Sequence, residues 1–233
     1  MIKVITFDLD DTLWDVRPAL IKAEQAQNDW LLTHFPKIAP ELEPDTAKAR
    51  KRQLIKDQPE LIHNISLFRQ TFLKQLLLDA GLNADDAGKA AAEAFAEFIA
   101  RRHHVALFEH AESVLTTLGQ DYMLGALTNG NADVGKTPLG HFFAFALKAE
   151  EVGAAKPEAA LFEAAMSRAG VGPEGLLHVG DSHEHDIVGA HRVGAASVWL
   201  SPDRADSEIA DAVIGCLSEL PAAVAAITAQ KQR

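Results

Sequence analysis

Two aspartates two positions apart, Asp8 and Asp10, stand in the run Asp8-Leu9-Asp10-Asp11-Thr12, directly after a short apolar segment. A carboxylate can attack phosphorus and form an acyl phosphate. A second carboxylate can protonate the departing alkoxide and later activate water. Alone, the run is only suggestive, since an acidic strand-to-loop turn of this kind arises by chance in roughly a few per cent of chains this long. Thr128-Asn129-Gly130 offers a hydroxyl, an amide and flexible backbone as neutral donors for phosphate oxygens, or else an ordinary Asn-Gly turn. Lys156-Pro157 supplies a point charge suited to a phosphoryl group, with Pro157 expected at the first position of the following helix; without company it reads as a surface lysine.

The fourth run is Gly180-Asp181-Ser182-His183-Glu184-His185-Asp186. Asp181 can complete a hard-oxygen site with Asp8, because Mg²⁺ takes few carboxylates and keeps waters and a phosphate oxygen. Ser182 can cap the next helix, and Asp186, one turn on, can orient Lys156 or a metal-bound water. His183 and His185 raise the question of zinc. Their alternate spacing at a helix start points them apart, and no cysteine or matching histidine pair accompanies them.

These runs need elements that bring them together. Ile2–Phe7 is short, β-branched and almost wholly apolar, as a strand buried on both faces of a parallel sheet should be. Similar runs recur at Met123–Leu127, Leu176–Val179 and Ala196–Leu200, with helical patterns at 157–170 and 183–193 between them. Alternating strand and helix predicts an α/β fold with a parallel sheet. Ligands of such sheets bind beyond the carboxyl ends of the strands, and each of the four runs falls just after a predicted strand or at the opening of a helix. Residues 17–104 read differently. Leu61, Ile65, Phe68, Phe72 and Leu76 repeat at helical spacing toward a stop at Gly81, and Asn83 is a candidate N-cap for the Ala-rich helix that follows. The expected organisation is a core of residues 1–16 and 105–233 with a helical bundle, 17–104, inserted after the first strand.

Composition narrows the function classes. A net charge of −11, from 22 Lys+Arg against 33 Asp+Glu, argues against gripping nucleic acid or an anionic membrane through overall charge. The lone Cys216 cannot make an intramolecular disulfide and is expected to be a small buried apolar residue rather than a nucleophile. No segment reaches the roughly 18 apolar residues of a membrane span, and the N-terminus shows no signal-peptide pattern. The expected location is the cytoplasm, with a small-molecule partner and no obligate protein partner.

As an ordered set, Asp8-x-Asp10-x-Thr12, Thr128-Asn129-Gly130, Lys156-Pro157 and Gly180-Asp181-Ser182-x-x-x-Asp186 resemble the haloacid dehalogenase superfamily over residues 1–15 and roughly 105–215. The resemblance implies a Rossmann-like core, Asp8 as nucleophile and Asp10 as general acid/base. It implies Mg²⁺ held by Asp8, the backbone carbonyl of Asp10 and Asp181, with phosphoryl oxygens held by Thr128 and Lys156, and Asn129 beside them. Thr12, Ser182 and Asp186 would support the site. The insertion resembles the helical cap of one branch, which closes over substrate and excludes water. Phe7 to Trp14, Arg17-Pro18, Asp79-Ala80-Gly81-Leu82, Thr128 to Asn131 and Leu177 to Asp181 look like bacterial flavin mononucleotide phosphatases, which also act on a phosphorylated pyrimidine of riboflavin synthesis.

Other readings fit less of the pattern. A broad-range sugar-phosphate or nucleotide phosphatase keeps the same chemistry with another substrate. Dehalogenases of this type lack the second acid, because a halide leaving group needs no proton, whereas Asp10 is present here. Sugar-phosphate mutases typically carry an apolar residue where Thr12 stands. A receiver-like phospho-acceptor domain places its acceptor on a middle strand and has no room for the helical insertion. A non-catalytic binding protein predicts a gap at the acid/base or lysine position, and none is seen. Trp14 and Trp30 are open to two readings, stacking on an aromatic substrate or packing in the core, and Arg17 is a candidate substrate contact.

Overall fold

The computed structural model describes residues 1–231. The chain separates into two compact units, Met1–Val16 with Val105–Arg233, and Arg17–His104.

In chain order, β1 (Val4–Phe7) is followed by the short β2 (Trp14–Asp15) and then by the helices α1 (Val16–His34), α2 (Ala39–Leu42), α3 (Pro44–Asp57), α4 (Ile65–Asp79) and α5 (Ala84–Arg102). The chain returns through β3 (Ala106–Leu107), α6 (Ala111–Leu118), β4 (Met123–Thr128), β5 (Phe145–Lys148), α7 (Ala149–Val152) and α8 (Ala159–Ala169). It ends with β6 (Leu176–Gly180), α9 (Val188–Arg192), β7 (Ala196–Leu200), β8 (Ala212–Ile214) and α10 (Leu220–Gln230).

Six of the strands form one parallel sheet in the order β5-β4-β1-β6-β7-β8, so the fold is α/β with a Rossmann-like core. All four residues of β1 are buried, as an apolar central strand requires. Its side chains alternate between two cores. Ile5 and Phe7 join Val114, Leu115, Val224 and Ile227 on the side of α6 and α10, while Val4 joins Leu161, Phe162, Ala165 and Ala190 on the side of α8 and α9. The edge strands β5 and β8 and the β2–β3 ribbon escape sequence reading. They are two to four residues long, too short for alternation to register.

The helical unit is built around Leu31, Leu54, Phe72, Leu73, Leu76 and Leu77, which meet Ala87, Ala90, Ala91 and Ala94 of α5. The small alanine face lets α5 lie close to α4. The repeat that begins at Leu61 does not make one helix. Asn64 accepts from the Leu67 N–H at 2.9 Å and starts α4 at Ile65, leaving Leu61 in a separate 3₁₀ turn. Gly81 follows α4 with φ +97°, where a side chain would be strained. Trp30 packs in this unit, stacked on His34 at 4.2 Å between ring centroids.

Two expectations are corrected. Pro157 is not the first helical residue, because Glu158 adopts extended backbone as the N-cap and α8 begins at Ala159; the Lys156–Pro157 peptide is cis. Cys216 is exposed, not buried. Among the described residues no helix is long and apolar enough to cross a membrane.

Asn83 caps α5 by accepting from the N–H groups of Asp85 and Asp86 at 3.1 and 3.0 Å. Asn83→Ala should therefore cost about 0.5–2 kcal/mol, read as a lower midpoint in urea unfolding.

Candidate active site

Three adjacent strands deliver their carboxyl ends to one place. β1 ends at Phe7 and hands on to Asp8, its neighbour β4 ends at Thr128, and its other neighbour β6 ends at Gly180 and hands on to Asp181. A cleft of about 210 Å³ there is lined by Asp8, Asp10, Thr128, Asn129, Gly130, Lys156, Asp181, Ser182, His185 and Asp186.

The loop after β1 doubles back at once. Leu13 N–H donates to Leu9 O at 2.9 Å and Asp11 N–H to Trp14 O at 2.8 Å, with Asp11 in the left-handed region at φ +61°. This turn brings the fully buried Trp14 beneath Asp10, whose Oδ1 accepts from the indole Nε1–H at 2.8 Å. Trp14 is thus core packing with a polar handle on the second acid. Thr12, also fully buried, donates from its hydroxyl to Asp181 Oδ1 at 3.1 Å.

Lys156 is almost fully buried, and its ammonium meets three acceptors. These are Asp186 Oδ1 at 2.6 Å, Asp8 Oδ1 at 2.7 Å and the Leu127 carbonyl at 2.8 Å. Asn129 holds the Lys156 backbone from both sides, accepting its N–H at 2.7 Å and donating to its carbonyl at 2.9 Å. The Asn129 amide is therefore engaged with the lysine loop. Thr128 Oγ1 accepts from the Gly130 N–H at 2.9 Å, which leaves its own proton to be donated elsewhere.

Asp186 sits on a wide π-type turn, His183–Ile187, that Ser182 opens by accepting from the His185 N–H at 3.2 Å. Asp186 Oδ2 accepts from the Ser182 N–H at 3.0 Å. Its carboxylate lies so close over Gly180 that a Cβ there would stand 2.2 Å from it, so only glycine fits. Behind Asp186 lies His178, fully buried, with Nε2 3.0 Å from Asp186 Oδ1 and Nδ1 2.9 Å from Thr6 Oγ1.

One ammonium serves two carboxylates, and the charges respond. Burial pushes Asp8 well above the ordinary carboxyl range, with Lys156 opposing and Asp186 adding to the rise. Burial acts the same way on Asp186, but Lys156 and the His178 bond outweigh it and hold Asp186 well below the usual range. Lys156 itself is held above the ordinary lysine value, the two carboxylates overcoming its burial. Burial keeps His178 below the ordinary histidine value. Asp181 is pushed up to about 6, by burial first and by Asp186 next, with the Thr12 hydroxyl opposing.

Asp8, Asp181 and Asp186 offer oxygens within 4.8 Å of one another and could together hold a cation. No histidine joins such a cluster among the described residues. His183 instead packs edge-on against Trp199 at 4.7 Å and lies 2.9 Å from Ser207 Oγ, which disfavours the zinc reading. Arg17 stands exposed at the start of α1 in the helical unit.

A family model described as haloacid dehalogenase-like hydrolase matches residues 2–194. The chain belongs to the haloacid dehalogenase-like hydrolases. Two curated relatives that span most of the chain are phosphatases by name. The 5-amino-6-(5-phospho-D-ribitylamino)uracil phosphatase YigB of Escherichia coli (strain K12) is 32% identical over 206 residues, 88% of this chain and 86% of its own. A glyceraldehyde 3-phosphate phosphatase of Methanopyrus kandleri is 30% identical over 212 residues, 86% of this chain and 84% of its own. The crystal structure of a 2-haloacid dehalogenase from Pseudomonas syringae pv. Tomato DC3000 superposes with a TM-score of 0.91 at 40% identity, covering 97% of this chain and 99% of that one.

The haloacid dehalogenase-like motifs do not by themselves single out Thr6, Trp14 or His178 as partners of the site. The available signal for His178 was a titratable residue inside the otherwise apolar run Leu176-Leu177-His178-Val179. Nothing in the sequence distinguishes Thr6 from any β-branched strand residue.

The raised Asp181 carboxyl ties stability to pH. Its folded value of about 6 lies above the unfolded value of about 4. The stability it contributes is full below about pH 4 and is lost as pH rises through about 6. A divalent cation bound to this cluster would compete with that proton, and its stabilising effect would grow across the same window. In thermal unfolding, added cation should raise Tm little near pH 5 and clearly more near pH 7.5, relative to chelator. An equal rise at both pH values would count against this cluster as the cation's site.

Proposed function

We propose that this hydrolase is a Mg²⁺-dependent phosphatase of the cytoplasm that transfers the phosphoryl group of a small phosphomonoester to Asp8 and hydrolyses the aspartyl phosphate. The observation that carries the reading is a second carboxylate, Asp10, lining the same cleft as the Asp8–Lys156 pair and held by the Trp14 indole. A nucleophile alone suits many leaving groups. A nucleophile beside a positioned acid suits one that must take a proton, as an alkoxide must and a halide need not.

The residues present fit Mg²⁺. The donors are hard carboxylate oxygens within 4.8 Å of one another. Asp8 and Asp181 are both raised by burial and by carboxylate neighbours, a shortage of positive charge that a divalent ion offsets. Asp8, Asp181 and the backbone carbonyl of Asp10 are the groups to hold it. Asp186, with both oxygens already in hydrogen bonds, serves Lys156 instead. Bound there, the ion reduces the repulsion between an anionic nucleophile and an anionic ester.

The chain's own residues then divide the work. The Thr128 hydroxyl donates to a phosphoryl oxygen, and Lys156 does so by exchanging its bond to Asp8 for one to the phosphoryl group as Asp8 attacks; Asn129 keeps the lysine loop in place, and Arg17 is assigned to the substrate. Asp8 attacks phosphorus as the ester P–O bond breaks, and Asp10 gives its proton to the leaving alkoxide. Asp10, now a carboxylate, takes a proton from a water whose oxygen attacks phosphorus. The bond to Asp8 breaks, and inorganic phosphate leaves. Thr12 keeps Asp181 oriented, and Ser182 fixes the turn that carries Asp186.

For the substrate, the similarity to YigB over most of both chains favours a phosphorylated ribitylaminouracil, and the sequence resemblance to flavin mononucleotide phosphatases adds that ester of the riboflavin pathway. The glyceraldehyde 3-phosphate phosphatases support a second reading, a small sugar phosphate. The likeness to the structure of a 2-haloacid dehalogenase raises a third, against which Asp10 stands.

Asp8→Asn should abolish phosphate release while leaving Tm within a few degrees; near-normal turnover would remove Asp8 as nucleophile. Asp10→Asn should slow hydrolysis of an alkyl phosphate by about 10²–10⁴-fold and of an aryl phosphate much less, since phenolates leave without help. Chloride release from a 2-chloro acid that outpaces phosphate release from every ester in a panel would favour the dehalogenase instead.

A further inference from the structure

His178 has no part in the chemistry above, yet it occupies a fully buried place directly behind the site. Thr6 and His178 are paired residues of β1 and β6, and neither is exposed to solvent. With them begins a continuous chain of contacts. Thr6 Oγ1 lies 2.9 Å from His178 Nδ1, His178 Nε2 lies 3.0 Å from Asp186 Oδ1, Asp186 Oδ1 lies 2.6 Å from Lys156 Nζ, and Lys156 Nζ lies 2.7 Å from Asp8 Oδ1. The imidazole is further fixed by Phe162, whose ring meets it edge-on at 5.1 Å and 89°.

The protons of this chain can be placed by counting donors. Asp186 keeps its charge beside the ammonium, so it only accepts. The nitrogen facing it must then be a donor, Nε2–H. A neutral ring has one N–H, so Nδ1 is an acceptor, and the single proton of the Thr6 hydroxyl goes to it at 2.9 Å rather than to the Leu177 carbonyl, which lies farther off at 3.4 Å. A second cation here would lose its hydration beside the Lys156 ammonium, and burial with that ammonium holds the ring below the ordinary histidine value, against the pull of Asp186. The ring is therefore neutral, in the Nε2–H form, with Thr6 selecting that form.

We propose that His178 is a positioning residue, which, oriented by Thr6, holds Asp186 where it shares the Lys156 ammonium with Asp8. The proposal rests on Asp8 as nucleophile and Lys156 as the phosphoryl contact. Sharing matters because a lysine is a flexible stem with a point charge at its tip. With Asp186 fixed, the ammonium lies between two carboxylates and Asp8 is only partly neutralised. With Asp186 loose, the ammonium pairs with Asp8 alone, which lowers its nucleophilicity and draws the cation away from the phosphoryl oxygens.

Side-chain geometry makes the test specific. A glutamine amide nitrogen reaches the place of Nε2, whereas that of asparagine reaches only Nδ1. His178→Leu and His178→Asn should lower kcat for a phosphomonoester about 10- to 100-fold, the range seen when an outer partner of a site residue is lost. His178→Gln should recover most of this, and Thr6→Val should lower kcat by a smaller factor. All assays belong well below each variant's Tm. Equal kcat for the Asn and Gln variants, or kcat within twofold of wild type for the Leu variant, would overturn the proposal and reduce His178 to packing.

Nitrogen NMR of the wild-type protein gives a readout independent of turnover and of any variant's folding. It should show His178 neutral and protonated at Nε2. Protonation at Nδ1 alone would also overturn the proposal. A wild type without phosphatase activity but with the Nε2–H ring would instead place the fault in the functional reading.

Discussion

The site depends on one buried ammonium. Lys156 Nζ sits among two carboxylates and a backbone carbonyl, all within 2.8 Å, with almost no access to water. Burying a lone ammonium is costly, and so is burying either carboxylate. Together they are tolerated only with tight geometry and with every remaining hydrogen-bonding position filled. Much of the surrounding structure meets that requirement. Asn129 fixes the lysine's backbone, Ser182 N–H fills Asp186 Oδ2, and Gly180 leaves the space Asp186 occupies. The balance is incomplete by one charge, since two carboxylates share one cation and Asp181 stands near. Asp8 and Asp181 both show the strain in their raised carboxyls.

The sheet makes this convergence possible at low cost in chain length. Because β1 lies between β4 and β6 and all three run parallel, residues more than a hundred positions apart end at the same edge. The two faces of the sheet are used differently. The α6–α10 face is apolar packing, whereas the α8–α9 face carries Thr6 and His178 within its core, directly below the cleft. The helical unit has its own core of leucines against alanines and needs nothing from the sheet to explain its helices.

Most of the sheet's interior was readable from sequence, because central strands of a parallel sheet are uninterrupted apolar runs and Ala196–Leu200 appears with the very ends expected. Edge strands were not, since Ala212–Ile214 is three residues long and half-buried. Helix starts were readable where a side chain enforces them, as at Asn83. They misled where periodicity ran through a cap, as at Asn64, and where Pro157 drew attention from Glu158. Asp8 and Asp181 were legible because charged residues directly after apolar strands are conspicuous, whereas Lys156, in the loop between α7 and α8, was legible only in company with the other runs. Their partners were not: Thr6 resembles any strand residue, Trp14 any core aromatic, and Asn129 gives no sign that its amide is committed to the Lys156 backbone.

The placement of the tryptophans has a practical consequence. Of the three in the chain, two donate their indole N–H directly to site aspartates, Trp14 to the Asp10 carboxylate and Trp199 to the backbone carbonyl of Asp181. Indole emission responds to the charge and hydrogen bonding around the ring. The molecule therefore carries an unlabelled optical reporter at each of two aspartates that line the cleft, one on a side chain and the other on the backbone.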